Sequence, residues 1–184
     1  SVFRYDSARR KRLLSAVAAS DYGDNDRLVV WTATNGFNKG EAAGNSITNP
    51  LEALRKIGDT AQPVMYLMKD LPAWFGANPS LIRAIRDLYY RLLNKRIVVF
   101  LTYPELVMPE VLKKEIFLVE MDLPSEEEIL DRLQTAEGKA GPSSAELHRL
   151  AGAMRGLSLN EVSHLQARLF RGDTFDSEKA LLEI

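Results

Sequence analysis

Two polar residues stand at the carboxyl ends of predicted β-strands, which is where open α/β sheets bind their ligands. Asp70 ends one apolar run, and a carboxylate there can orient a magnesium ion beside a nucleotide. Thr102 ends the next run, where its hydroxyl could contact a terminal phosphate. Hydrolysis would also need a second acid to polarise the attacking water, but Leu71 and Pro72 follow Asp70. Both polar residues therefore suit a turn cap or a structural hydrogen bond better than catalysis.

The sequence lacks the glycine-rich loop with which many α/β domains hold phosphate. Such a loop needs glycines so that backbone N–H groups can approach the phosphates, a lysine for the terminal phosphates, and a serine or threonine for magnesium. The turn after the first predicted strand, Tyr5–Arg10, has no glycine and places Asp6 where the phosphate would lie. A glycine-bearing stretch at 35–48 matches no phosphate fingerprint, and we interpret it as a mobile loop. This pattern argues against tight nucleotide binding.

Composition excludes several other kinds of site. The 184 residues include 24 Lys and Arg against 25 Asp and Glu, a formal net charge of -1, so nucleic-acid binding is not favoured. The chain has no cysteine, which excludes disulfides, thiolate metal sites and cysteine nucleophiles. His148 and His164 have no triad partners near them in sequence, and we assign them no role and expect no metal site. No signal peptide or membrane span is recognisable, so we expect a cytoplasmic protein without membrane contact.

Apolar runs alternate with amphipathic helices from the start of the chain to about residue 122, as they do in α/β domains. Helices are predicted at about 7–20, at Pro50–Ile57 after the cap Asn49, and at Pro79–Leu93. Strands are predicted at Ser1–Tyr5, Arg27–Thr34, Val64–Met68, Arg96–Thr102 and Ile116–Glu120. The alternation predicts a five-stranded parallel sheet with right-handed crossovers and helices on both faces.

The pattern changes after Asp122, where helices follow one another without strands. Ser125–Glu128 reads as a capping box that begins a helix. A linker at 138–144 precedes two more helices, at about 145–154 and 159–170. The stretch 172–184 reads as the start of a connection, and the chain opens on a strand-like segment without Met. We therefore expect it to be a piece of a larger protein.

Trp74 and Phe75 are candidates for an interaction surface. They fall in the predicted loop between Asp70 and Pro79, and aromatic side chains dominate the hot spots of protein interfaces. Packing of both rings beneath the loop is an equally good interpretation.

Four segments and one turn carry a family resemblance. The segments are Leu67–Leu71, Asn78–Leu88, Val98–Leu101 with Met108-Pro109, and Glu120–Ile129; the turn is Gly156–Val162. Together they resemble the amino-terminal module of the AAA-family ATPases known from cyanobacteria and plastids as a conserved chloroplast reading frame. The turn is similar to one that opens a helix of the small α-helical lid subdomain in AAA proteins. The resemblance covers about Arg27 to Phe170.

The resemblance implies a fold of the P-loop-NTPase (AAA) type. It places a degenerate α/β core at 1–123, a helical lid-like subdomain at 124–171, and a connection to a following module at 172–184. In this family the second, carboxyl-terminal module carries the working P-loop and the first is a degenerate copy. ATP and magnesium are then expected in that other module, with no cofactor in this chain.

The resemblance also implies roles for individual residues. Asp70 matches the Walker B position, Thr102 matches the sensor position, and Lys113 or Lys114 lies near where an active module places its arginine finger. Without a P-loop and a second acid, Asp70 and Thr102 are interpreted as vestigial nucleotide-binding positions. Lys113, Lys114, Trp74 and Phe75 are interpreted as interface residues.

The leading hypothesis is a non-hydrolysing structural and regulatory module of an AAA ATPase. It would pack on the active module of the same chain or on neighbouring subunits of a homo-oligomer, in the cytoplasm or the plastid stroma, and help to recruit an unidentified protein partner or substrate. The alternative is weak nucleotide binding through a non-standard loop in which Lys39 or the Arg9–Arg12 cluster replaces the missing lysine. A receiver-like or flavodoxin-like signalling domain fits least well, because Asp70 has no acidic partner in sequence.

Overall fold

The computed structural model describes residues 7–23, 27–39, 47–135 and 142–170. In these ranges the helices are α1 (Ser7–Tyr22), α2 (Pro50–Asp59), α3 (Pro79–Leu92), α4 (Glu126–Gln134), α5 (Ser144–Ala153) and α6 (Leu159–Leu169). The strands are β1 (Leu28–Thr32), β2 (Gly36–Phe37), β3 (Val64–Lys69) and β4 (Ile97–Thr102). The chain divides into two compact units, the first holding Arg10–Val119 and the second holding Glu120 onward with the first residues of α1.

The sheet of the first unit has the strand order β2-β1-β3-β4. β3 is parallel to β1, with Leu28 opposite Met65, and parallel to β4, with Val64 opposite Ile97. β2 is antiparallel to β1, so the described sheet is mixed. The prediction of an α/β fold is confirmed, with helices packed on both faces.

One face of the sheet is covered by α2 and α3, because two right-handed crossovers that advance in the same direction must lie on the same side. Ile57 from α2 and Leu81 from α3 are fully buried there, against Trp31 and Met68 of the strands. α1 packs on the opposite face through Ala18. The sequence placed all three helices correctly, and α2 and α3 each have a clear apolar stripe at helical spacing.

β2 corrects the prediction of a polar loop after β1. Gly36 and Phe37 pair with β1, and the Phe37 ring is buried in the core. Gly36 has φ 67°, and a Cβ added there would come within 3.0 Å of the Ile47 backbone, so glycine is required for this close approach. The part of the predicted loop at 40–46 lies outside the described residues.

No strand is present at Ile116–Glu120, where the sequence predicted one. The backbone there pairs with no strand among the described residues, and Phe117 is 88% exposed. Side chains of high β-propensity form a strand only where a neighbour accepts the backbone hydrogen bonds. The predicted strand at 1–5 lies outside the described residues, so the sheet described here has three parallel strands and one short antiparallel strand.

β4 also differs from the expectation of a strand buried on both faces. Ile97 is buried, but Val98 is 43% exposed. β4 is the last strand in the described sheet, and a strand with one neighbour buries less of its surface than a central one.

The second unit is helical, and each of its helices begins with a capping box. The boxes pair Ser125 with Glu128, Ser143 with Glu146, and Ser158 with Glu161. Ile129, Leu150 and Val162 form its separate core. The predicted linker is described only from residue 142 and the predicted connection at 172–184 is not described. No helix in the described ranges is long and apolar enough to cross a membrane.

Candidate functional site

The sheet brings Asp70 and Thr102 together. Thr102 lies opposite Lys69 in the register of β3 and β4, and the Asp70 backbone N–H donates a hydrogen bond of 2.8 Å to the Thr102 carbonyl oxygen. The two strand ends that the sequence singled out are therefore neighbours at one edge of the sheet.

The backbone of Asp70 turns the chain out of β3. Its φ of 58° and ψ of 15° lie in the left-handed region, and it precedes the 3-10 helix Leu71–Trp74. Its carbonyl accepts a hydrogen bond of 3.2 Å from the Ala73 N–H. The carboxylate itself makes no capping hydrogen bond and is exposed to solvent.

Thr32, at the carboxyl end of β1, uses its hydroxyl in a turn. Thr32 Oγ1 accepts a hydrogen bond of 3.1 Å from the Asn35 N–H and lies 3.2 Å from Thr34 Oγ1. In the described ranges no group of three or more histidine or acidic side chains is placed to hold a metal ion. β1, β3 and β4 also follow in chain order across the sheet, so these strands do not form the crevice that a reversal of strand order creates.

Of the cations considered as substitutes for a phosphate-loop lysine, Arg9 is committed to a carboxylate. Its Nε and Nη2 atoms donate to Glu128 at 3.0 and 2.8 Å, and its side chain is 11% exposed. Lys39 is half-buried and has polar partners of its own. Lys11 and Arg12 face solvent.

Lys113 and Lys114 are exposed just after the 3-10 helix Glu110–Leu112. Lys113 Nζ lies 2.6 Å from a Glu110 carboxylate oxygen. Leu112 is fully buried and fixes this turn to the core of the first unit. Both lysines are thus presented by an anchored turn.

The structure separates the two aromatic candidates. Phe75 is 4% exposed and belongs to the core of the first unit, whereas Trp74 is 40% exposed. Only Trp74 of this pair presents its ring to a partner without rearrangement.

Sequence reasoning missed a larger exposed feature, the stretch Leu106–Val119, which we call the apolar segment. Its exposed side chains are Leu106, Val107, Val111, Phe117, Leu118 and Val119. Met108, Leu112 and Ile116 point the other way and pack on the core. The available signal was two short apolar runs, 106–108 and 116–119, on either side of a charged stretch that contains Pro109 and lacks a clear helical period.

Glu115 also attaches the apolar segment to α3. Its Oε1 accepts a hydrogen bond of 3.1 Å from Arg86 Nε, and the Glu115 side chain is 5% exposed. Its second oxygen, Oε2, is buried with no hydrogen-bond partner in the described part of the chain. An ion pair, the buried Leu112 and the partly buried Met108 and Ile116 therefore hold a segment whose other face is apolar and exposed.

Residues 2–121 match the family described as SpoVK-like AAA ATPase, N-terminal domain. The chain belongs to this family, and the expectation of an amino-terminal module of an AAA-family ATPase is supported. The cyanobacterial and plastid type stays a prediction. No curated protein and no solved structure matches the chain.

Proposed function

We propose that this chain is a non-hydrolysing structural and regulatory module of an AAA-family ATPase. It packs on the ATP-hydrolysing module of the same protein or on neighbouring subunits, and it helps to recruit partners. The observation that carries the proposal is the exposed apolar segment Leu106–Val119.

An exposed apolar run of this kind is typical of a surface that a partner covers. Single apolar residues on a surface are ordinary, but a cluster of them marks an interaction site. Phe117 is 88% exposed, and burying a phenylalanine side chain is worth about 1.5–3 kcal/mol. The buried anchors Leu112 and Glu115 hold the segment in place before a partner arrives, which lowers the entropy cost of binding.

The strand-end residues support the absence of hydrolysis. Asp70 serves a backbone turn, and the described residues at this edge add a threonine but no acid cluster. A hydrolytic site needs a group to orient the water and groups to neutralise the phosphates. On this proposal ATP and magnesium bind to another module, and Asp70 and Thr102 are vestigial.

The finer parts of the proposal follow the family resemblance. The helices α4 to α6 serve as a lid-like subdomain, the parent assembles as a homo-oligomer in the cytoplasm, and Lys113, Lys114 and Trp74 contribute to interfaces. If the parent is of the plastid type, the stroma takes the place of the cytoplasm.

Titration of the chain into the separately produced ATP-hydrolysing module of its parent tests the packing. We expect saturable binding that Phe117→Asp weakens at least about tenfold, because the substitution would bury a charge in an apolar contact. Leu13→Asp is the matched control, since Leu13 is an exposed leucine on α1. Equal affinities for the wild type and Phe117→Asp would refute packing through this segment.

Calorimetric titration with ATP and ADP, with and without magnesium, tests the absence of nucleotide binding. No heat is expected up to millimolar nucleotide. Binding at micromolar affinity would favour the alternative, a nucleotide-binding domain with a non-standard loop, and Lys39, Asp70 and Thr102 would be the residues to substitute.

A further inference from the structure

The seam between α2 and α3 is open to solvent on the side away from the sheet. It holds a groove of about 300 Å³, which is at the small end of the range for ligand pockets. All of its lining residues belong to these two helices, and both helices lie in the first unit.

The floor of the groove is apolar. Leu54 of α2 and Leu88 of α3 are buried beneath it, and Leu51 and Ala84 line it while half-buried. Ala84 is small, so the two helices leave space between their outer side chains where a larger residue would fill it. An aliphatic side chain of a partner would be desolvated on this floor.

The rim of the groove is positively charged. Arg55 of α2 and Arg83 and Arg91 of α3 line it, with Asp87 as the one acid. Asp59 borders the rim and pairs with Arg91. Three guanidinium groups against the carboxylates of Asp87 and Asp59 leave a formal charge of +1 in a chain whose net charge is -1. Arg55 is exposed and has no ion-pair partner in the described part of the chain.

The two arginines of α3 are held in position by acids. Arg83 Nη2 lies 2.7 Å from Asp87, and Arg91 Nη2 lies 2.6 Å from Asp59. Both arginine side chains stay well exposed, at 70% and 49%. Because a guanidinium carries five N–H donors, one carboxylate leaves others available to a second acceptor.

The missing side chain of Gly58 leaves room for the Arg91 guanidinium to pack against α2. A Cβ added at Gly58 would lie 2.8 Å from Arg91 Nη1, so the guanidinium rests on the backbone of α2. Lys95 Nζ already donates to the Gly58 and Thr60 carbonyl oxygens at 2.8 and 2.9 Å. The end of α2 is therefore capped without Arg91, which leaves its remaining donors for a ligand.

An exposed aromatic side chain follows the rim residues along α3. Tyr90 is 61% exposed, and its ring packs edge-on against Tyr89 with the centroids 5.4 Å apart. It comes three residues after Asp87 and seven after Arg83, a spacing that puts it on the same flank of the helix. Tyrosine and arginine are the residue types enriched in interface hot spots.

We propose that the groove binds an acidic segment of a partner protein, with an aliphatic side chain on the floor and carboxylates on the arginine rim. A protein segment fits better than a nucleic acid, because the apolar floor suits an aliphatic side chain, which a nucleic acid does not carry. The surface is separate from the apolar segment, so the proposal does not depend on whether that segment packs on another module.

Fluorescence anisotropy with a labelled peptide of Glu and Leu residues tests the proposal on the 184-residue chain. We expect saturable binding that falls as salt is raised. Arg55→Glu should weaken it about tenfold, since a like charge then faces the ligand. Arg12→Glu, the same charge reversal on an exposed residue of α1, should change it less than about twofold.

Asp87→Asn is expected to raise the affinity for the peptide, whereas Arg55→Glu lowers it. Removing the one acid of the rim should tighten peptide binding about threefold, an effect that a partly unfolded variant would not produce. The proposal is overturned if the peptide does not bind, if the Arg55 and Arg12 variants lose affinity equally, or if Asp87→Asn does not tighten binding. It is also overturned if a peptide of Glu and Ser binds as well, or if a single-stranded oligonucleotide binds more tightly.

Discussion

Asp70 adopts φ 58°, the one positive φ of a non-glycine residue in the described part of the chain. Aspartate tolerates the left-handed region better than most residues because its short polar side chain interacts with nearby backbone. The residue type that suggested a metal-orienting acid therefore also suits the turn that the backbone makes here. The sequence alone could not distinguish a metal-orienting aspartate from one that forms a turn.

Replacing Asp70 distinguishes a backbone role from a chemical one. We expect Asp70→Ala to lower the free energy of unfolding by about 1 kcal/mol, whereas Asp70→Gly changes it by less than about 0.5 kcal/mol, because glycine adopts this φ without strain. Urea denaturation measures both, with exposed Asp131 of α4 replaced by alanine as the control. Equal effects of the two substitutions at Asp70 would contradict the turn role.

The two partners of the Arg86–Glu115 ion pair differ in burial. The Glu115 side chain is 5% exposed and that of Arg86 is 37% exposed. We expect Arg86→Ala to lower the free energy of unfolding by about 2–3 kcal/mol, since it leaves a carboxylate buried with neither oxygen paired. Glu115→Gln should cost less, because it removes the charge and Arg86 can be solvated. Thermal and urea unfolding measure both stability losses. A larger loss for Glu115→Gln than for Arg86→Ala would rule out this account.

Five of the described helices begin at residues whose side chains cap the backbone N–H groups of the first turn. Asn49 caps α2 and Asn78 caps α3 through side-chain hydrogen bonds to backbone N–H groups. Each helix of the second unit starts with a capping box. These signals lie within a few residues of one another along the chain, so they could be recognised without knowing the fold.

Gly58 is the exception to this local logic, because it lies inside α2 where alanine would be the better helix former. Gly58→Ala should change the free energy of unfolding by less than about 0.5 kcal/mol, since the helix gain offsets the loss of the exposed Arg91–Asp59 pair. The displaced guanidinium should weaken binding of the Glu and Leu peptide. Denaturation and anisotropy on the same variant check both. Peptide affinity equal to the wild type would show that Arg91 does not contribute.

The packing of elements within the first unit places polar and apolar surface in ways that no single element reveals. α2 and α3 share one face of the sheet, and this shared face creates the seam with its arginine rim. The apolar segment follows β4 and covers the same core with Met108, Leu112 and Ile116 while exposing Phe117. Interaction surfaces thus arise from how elements pack.

Two phenylalanines test this distribution of buried and exposed surface. Phe75→Ala should lower the free energy of unfolding by about 3–5 kcal/mol, because its ring is 4% exposed in the core. Phe117→Ala should change it by less than about 0.5 kcal/mol, because its ring is already in solvent. Urea denaturation of both variants gives the comparison. A loss of similar size at Phe117 would mean that it belongs to a buried strand after all.

What the amino-acid order determined was the set of elements with a strong local signature. The apolar stripes of α2 and α3 and the runs of β1, β3 and β4 specified these elements to within a few residues, because helical spacing, caps and continuous apolar runs are properties of neighbouring residues. The sequence alone also showed that no phosphate-loop pattern follows the first predicted strand.

Tertiary structure alone decided which strand-like segments found partners. Phe37 gained one in β1, whereas Ile116–Glu120, of higher β-propensity, has none among the described residues. It also decided that Asp70 meets Thr102 and that Arg55 shares a groove with Arg83. Each of these outcomes depends on residues distant in the chain, since strand pairing, burial and the shape of a seam between helices are set by what packs across the fold.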